Sequence, residues 1–374
     1  MDFTYDDEQQ ALRDAVRGLV GKKYADFENR RRTVADDPGF DEDLWKALAE
    51  MGILGLPFDE EDGGTGAGPV ETSIVAQELG RVLAPEPFLS SVVLAGGLVA
   101  MAGSDEQRAE VLGALSAGEI VLAFAHDELT GTETRAVTAT ESGDGWSLTG
   151  VKEPVLHGAR ADRLVVSAAL PEGGTGLFLV DGSATTRTGY ATYDGGRAAR
   201  VTFDATPAVA LGEGDQSTVI ALVLDGTRVM AGNQAVGAME VALETTTAYL
   251  KSRKQFGVTL NTFQALNFRA ADMYVSLELT KSIVAWATMV LAEGTPEEVT
   301  DAAARASLQV SRAGRHVGQE AIQLHGGIGM TAEYSVGSYT SHLTALDHMF
   351  GDGNHHVRAL ASRVGDYDEV DPLA

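Results

Sequence analysis

The sequence contains no cysteine, which removes disulfide frameworks, thiolate nucleophiles, iron–sulfur clusters and cysteine-based zinc sites together. Basic residues are scarce: 28 Lys and Arg face 54 Asp and Glu, giving a net charge of −26 over 374 residues. A field of that sign repels phosphate backbones and anionic lipid, so neither a nucleic acid nor a membrane surface is an expected partner. A phosphate-bearing small molecule is still allowed, because a few arginines in a cleft override the mean field. Long apolar runs are missing. The longest, residues 91–102, is broken by a Gly-Gly pair and falls short of the roughly 20 residues a membrane helix needs. The acidic start, Met1-Asp2-Phe3-Thr4-Tyr5, lacks the basic and apolar regions of a signal peptide. A cytoplasmic protein is the expectation, and the length suits two or three domains.

Apolar spacing divides the chain in three. Residues 1–118 carry helical periodicity over 6–20, 41–51, 70–82 and 104–117, with an acidic glycine-rich loop, Pro57-Phe58-Asp59-Glu60-Glu61-Asp62-Gly63-Gly64, between the second and third. From 119 to 214 the texture changes to short Val-, Leu- and Thr-rich runs, at 120–125, 137–140, 146–150, 163–167, 176–180 and 199–203. Ser142-Gly143-Asp144-Gly145 is a hairpin signal between two of them. An antiparallel barrel or sandwich is expected there. From 215 to 374 helices return, over 218–252, 264–292, 296–324 and 335–349. The predicted class is α+β: a helical domain, a β domain and a C-terminal four-helix bundle.

Motifs for common chemistries are missing. There is no phosphate loop with its lysine, no His-Glu-x-x-His helix and no Gly-x-Ser-x-Gly elbow. Gly326-Gly327-Ile328-Gly329 follows a helix rather than a strand, which fails the context of a dinucleotide fold and suits a helix cap. His355-His356 has no acidic residue spaced to complete a metal site, and none is expected. Arg253-Lys254-Gln255-Phe256-Gly257 stands where a long helix ends. An arginine there answers the helix dipole; a guanidinium beside an aromatic ring and a glutamine equally suits a pyrophosphate and an adenosine.

With that segment the chain resembles the acyl-CoA dehydrogenases, flavoproteins that desaturate acyl-CoA thioesters between Cα and Cβ. The likeness runs collinearly through the whole length. It rests on Arg253-Lys254-Gln255-Phe256-Gly257 with Phe263-Gln264, and on Gln323-Leu324-His325-Gly326-Gly327-Ile328-Gly329-Met330 with Glu333-Tyr334. Gly52-Ile53-Leu54-Gly55, Gly63-Gly64 and Glu78-Leu79-Gly80-Arg81 support it. The resemblance implies FAD as cofactor, an acyl-CoA substrate, and contacts to the ADP half of FAD from Arg253, Gln255, Phe256, Gln264, Gln323, Gly326 and Gly327. That FAD belongs to a site completed by a neighbouring subunit.

Departures from the family pattern carry as much information. The strands expected to cradle the flavin ring align with Ala123-Phe124-Ala125-His126-Asp127-Glu128 and Lys152-Glu153-Pro154-Val155-Leu156-His157. Pro154 replaces the family's tryptophan and Leu156 its hydroxyl residue, and Ala125 and Leu156 carry no side-chain donor. The family's catalytic glutamate has two known positions, which fall here on Gly351 and on Thr227, beside Arg228. Asp352 lies one residue from the first slot and is expected to cap the following helix; it is the single weak candidate for a base, with Arg228 in support. A chain that keeps the ADP clamp and loses ring cradle and base resembles the partner subunit of the heteromeric α2β2 acyl-CoA dehydrogenases of actinobacterial steroid side-chain degradation. The readings that compete are a homotetramer using Asp352, a non-redox relative using His126 or His157 as acid or base, and a scaffold that binds no cofactor.

Overall fold

The computed structural model describes residues 5–129, 136–143 and 145–366. Its first third holds α1 (Asp7–Tyr24), α2 (Phe27–Ala35), α3 (Glu42–Glu50) and α4 (Pro69–Arg81). A π-wound segment, Phe88–Gly96, then runs directly into α5 (Gly97–Ala102), followed by α6 (Asp105–Ser116). The four expected helices are α1, α3, α4 and α6. Their starts are chemically marked: Asp6 with Gln9 and Ser104 with Gln107 form reciprocal capping boxes. Helix α2 was not expected, because Glu28-Asn29-Arg30-Arg31-Arg32 carries no apolar stripe. It is fixed instead by one buried cation, Arg30, which donates to the carbonyls of Leu83 and Asp194.

The middle third holds β1 (Leu122–Ala125), β2 (Thr138–Ser142), β3 (Gly145–Leu156), β4 (Arg163–Ala169), β5 (Thr175–Asp181), β6 (Thr186–Ala191) and β7 (Arg197–Leu211). The strand order is β1-β4-β2-β3-β7-β5; β5 also pairs with β4, which closes a ring, and β6 adds to β7. Pairing is antiparallel except where β1 runs parallel to β4 and a single parallel bridge joins Thr138 to Ala169. The interior is packed by Leu148, Val166, Phe178, Val201 and Phe203. Strand β6 was missed because its side chains are mostly exposed and form no apolar run. In the expected hairpin, Ser142 pairs with Gly145, while Asp144 lies outside the described residues.

The last third holds α7 (Ser217–Ser252), a two-residue-per-strand hairpin of β8 (Lys254–Gln255) and β9 (Val258–Thr259), then α8 (Gln264–Glu293), α9 (Pro296–His325), α10 (Val336–Met349) and α11 (Gly353–Ser362). Helices α7 to α10 form the bundle, each ending within one residue of the expected position. Apolar length needs a correction. Helix α8 is long and apolar enough to cross a membrane by length and composition alone, and only 28% of its most apolar window is buried in this chain. Polar side chains are spaced through it, so no long unbroken apolar run appears in the sequence.

Helix α4 joins the first third to the bundle by crossing α7 at backbone contact. A Cβ built on Gly80 would stand 2.0 Å from the Gln234 carbonyl oxygen, and one built on Gly237 would stand 2.0 Å from that of Gln77. Charges flank the crossing: Glu78 is buried against Arg13 and Arg17, and Glu240 takes Arg81 and Lys281. Gly237→Ala must push the two backbones apart. It is expected to cost about 1–3 kcal/mol of stability, read as a lower urea midpoint with an unchanged slope.

Candidate functional site

All three parts of the chain wall one cavity of about 540 Å³. The π-wound segment contributes Ser90 and Leu94, α7 contributes Leu224 and Arg228, and the end of α10 with the turn after it brings Met349, Phe350 and Gly351. From the β domain come Phe124, His126, Asp127, Glu128, Glu153, Pro154 and Leu156. Strand alternation sorts β1 and its continuation: Phe124 and His126 face the cavity, whereas Ala123 and Ala125 pack inside the barrel. Ala125, expected to offer no donor to a flavin, points away from the cavity altogether, whereas Pro154 and Leu156 line it.

Beneath this wall lies a buried polar relay that spacing alone did not reveal. Lys152, 4% exposed, spends its ammonium on three acceptors: the His126 carbonyl and Glu128 Oε1, each at 2.7 Å, and Ser167 Oγ at 3.2 Å. Ser167 Oγ in turn lies 2.9 Å from His126 Nδ1, and the His126 ring stacks on Phe124. Burial pushes the Lys152 and His126 pKa values down. Burial also pushes Glu128 up, yet the Lys152 hydrogen bond and charge outweigh it and hold that carboxyl low. No sequence motif links these groups. They sit on β3, on β4 and after β1, and meet only through sheet pairing.

Neither expected base slot holds a carboxylate. Thr227 is fully buried and gives its hydroxyl to the Val223 carbonyl. Gly351 lines the cavity at φ +104°, and a Cβ there would meet the His355 ring at 2.9 Å. Arg228 points to the same turn, with Nε on the Phe350 carbonyl at 2.8 Å and a second nitrogen on Asp225 at 2.6 Å. Asp352, proposed as a weak base, caps α11 instead. Its carboxylate accepts from the His355 N–H at 2.8 Å, a bond that lowers its pKa, and it does not border the cavity. His157 is also engaged at both ring nitrogens, on Ser90 Oγ and on the Pro85 carbonyl, and burial lowers its pKa to about 4. His356 is turned inward onto the Gly351 carbonyl.

The residues expected to clamp a nucleotide occupy a different surface. Lys254-Gln255 and Val258-Thr259 form the hairpin after α7, with Phe256 at its tip and 90% exposed. Gln264 opens α8; Gln323 and the Gly326-Gly327 turn end α9, and all are exposed. Stacking of Tyr249 on His325, ring centroids 4.5 Å apart, ties the end of α7 to the end of α9. The Arg253 guanidinium makes no hydrogen bond or ion pair among the described residues. On α8, which Gln264 opens, Phe268, Tyr274, Val275 and Leu279 are all more than half exposed, as is Met330 just after the Gly326-Gly327 turn.

Placing a carboxylate in the vacant slot is expected to fail. Gly351→Glu forces a side chain into the left-handed region and against His355, costing about 1–3 kcal/mol. The measurement is a lowered urea midpoint, with no gain of acyl-CoA oxidation by the chain alone.

The architecture and sequence have close counterparts. Family models for the acyl-CoA dehydrogenase N-terminal domain and C-terminal domain match residues 6–119 and 217–365. Acyl-CoA dehydrogenase IpdE2 of Mycobacterium tuberculosis is 31% identical, covering 97% of this chain and 99% of its own. Among solved structures, the Tcur3481–Tcur3483 steroid ACAD is 30% identical with a TM-score of 0.87, covering 96% of this chain and 98% of its own. The ChsE4–ChsE5 complex of Mycobacterium tuberculosis is 26% identical with a TM-score of 0.90, covering 99% of this chain and all of its counterpart (100%). On this agreement of sequence, element order and fold, the chain belongs to the acyl-CoA dehydrogenase family.

Proposed function

We propose that this chain is one subunit of an FAD-dependent acyl-CoA dehydrogenase, holding the ADP half of FAD while a homologous partner supplies the ring pocket and the base. The family is FAD-dependent, and the two halves of a flavin site can be tested separately against the residues present. For the ADP half they fit. Nothing outside the neighbouring residues lies within 4 Å of a Cβ built on Gly257, Gly326 or Gly327, so a pyrophosphate can approach the backbone there, although the Gly326 N–H is itself spent on the Ile322 and Gln323 carbonyls. Arg253 is free to neutralise it, in a chain otherwise dominated by acids. Gln264 and Gln323 offer amides to neutral polar atoms, and the exposed Phe256 ring offers a flat apolar face.

For the ring half they do not fit. Leu156 and Pro154 line the cavity where a hydroxyl and an indole would be needed, and both base slots lack a carboxylate. The observation that carries the proposal is this split: an open, exposed clamp on one surface and an incomplete cradle on another. When bound, FAD supplies the acceptor for the electrons of Cα–Cβ desaturation. The work of this chain is to fix the nucleotide tail and to present the surface around it.

That surface supports a partner. Phe268, Val275 and Leu279 recur at helical spacing along α8 and are each more than half exposed, as is Phe256, which gives a partner an apolar stripe to cover. A homologous chain seated there would cover it and bring its own cavity to the clamp. The heteromeric ChsE4–ChsE5 complex and the steroid ACAD support a heterotetramer and a bulky, steroid-type acyl-CoA substrate.

The purified chain alone is expected to bind FAD weakly and to turn over little. Co-expression with a homologue carrying a glutamate in either base slot should yield a yellow, active complex. In that complex Arg253→Ala should weaken flavin affinity at least tenfold, as loss of a charge-assisted contact of about 1.5–3 kcal/mol requires. Steady turnover by the single chain, or full yellow colour in the Arg253→Ala complex, would refute the assignment.

A further inference from the structure

We infer that the cavity of this chain is a ligand site in its own right, in which His126 donates Nε2–H to the carbonyl oxygen of a neutral, apolar-bodied ligand. Lys152 has three N–H donors, and its three acceptors are the His126 carbonyl, Glu128 Oε1 and Ser167 Oγ. Ser167 Oγ thus accepts from Lys152. Its own hydroxyl hydrogen has one remaining partner within reach among the described residues, His126 Nδ1 at 2.9 Å. Nδ1 is then an acceptor, so the neutral imidazole carries its proton on Nε2. Stacking on Phe124, with centroids 5.0 Å apart and planes at 16°, fixes the ring's plane. Nε2 has no protein partner among the described residues, and the ring borders the cavity.

The ligand class follows from the walls. Asp127, Glu128 and Glu153 border the same space, which disfavours a carboxylate or phosphate at this donor. Arg228, the cation on the opposite wall, is already committed to Asp225 and the Phe350 carbonyl. Leu94, Phe124, Leu156, Leu224 and Met349 supply apolar surface for the body of the ligand. A neutral carbonyl, of a thioester or a ketone, is what this donor suits. Ser167 and Lys152 are positioning residues, acting on the ligand through His126. This site needs neither flavin nor a partner chain, so its test is independent of the proposal above.

The experiment has two readouts on the full chain without added flavin. Long-range ¹H–¹⁵N spectra, with His126 assigned by His126→Phe, should show a neutral ring protonated at Nε2; Ser167→Ala should lose that preference. Calorimetry should then compare dodecanoyl-CoA with S-dodecyl-CoA, which lacks the carbonyl, and 2-tetradecanone with tetradecane. Wild type should favour a carbonyl ligand by about five- to tenfold, the worth of one neutral hydrogen bond, and both variants should lose the preference. Discrimination confined to the thioester pair assigns the site to acyl-CoA; discrimination in the ketone pair extends it to free carbonyl compounds. An Nδ1-protonated ring, or equal affinities in both pairs, would overturn the inference. So would FMN binding that is lost in the same variants while neither pair is discriminated. Should His126→Phe fail to fold, the wild-type tautomer and Ser167→Ala still decide.

Discussion

Helices α4 and α7 meet backbone to backbone, with no side chain between Gly80 and Gln234 or between Gly237 and Gln77. That contact sets how the N-terminal helices lie on the C-terminal bundle, and the cavity exists only because of it. Ser90 and Leu94 follow α4, Leu224 and Arg228 precede the crossing on α7, and the β domain closes the space between them. The crossing is locked on both sides by buried carboxylates, Glu78 against Arg13, Arg17 and Arg81, and Glu240 against Arg81 and Lys281. Breaking one such pair leaves an uncompensated charge in a dry place, so the arrangement resists sliding more than it adds net stability.

Within the cavity the chemistry is governed by burial and by single hydrogen-bonded partners rather than by the net charge of the chain. The chain is strongly acidic, yet the groups that line or underlie the site are tuned one at a time. Lys152 and His126 are pressed toward neutrality by burial, and Lys152 is held in place by a carboxylate, a carbonyl and a hydroxyl. Next to the cavity, Glu86 is buried beside Tyr24, and burial raises its pKa to about 7 despite the tyrosine hydrogen bond. A smaller chamber of about 70 Å³ there is bordered by Glu86, Gln234 and His342, each with a buried polar atom lacking a partner among the described residues. Its walls share Ser90, Leu156, Met349 and Phe350 with the larger cavity. Polar atoms of this kind are ordinarily satisfied by buried water.

The proposed separation of a nucleotide clamp from a ring pocket makes physical sense only in an assembly. An exposed guanidinium, an exposed phenyl ring and an open glycine turn gain little as isolated surface features, since each stays solvated. Covered by a second chain they become a low-dielectric site in which charge-assisted hydrogen bonds strengthen. The long, half-covered α8 fits the same logic, because an apolar face that one chain leaves exposed is available to another.

Helix positions were legible in the sequence from apolar period, with a cap to sharpen them in places: Thr295-Pro296 with Glu298 starts α9 by a capping box, whereas α7, α8 and α10 begin without a side-chain cap. Local chemistry also fixed the family likeness, the empty base slots and the role of Asp352 as a cap, because each rests on neighbouring residues in the chain. Strand β6 and helix α2 were not legible, since neither carries an apolar pattern and both are held by distant partners. The same holds for His126. Its donor state depends on Ser167 and Lys152, which lie 41 and 26 residues away in the chain and are brought to it only by strand pairing. The sequence by itself decided which chemical groups this protein has and which it lacks; folding alone decided which of them face one another, because hydrogen-bond direction and burial are properties of neighbours in space.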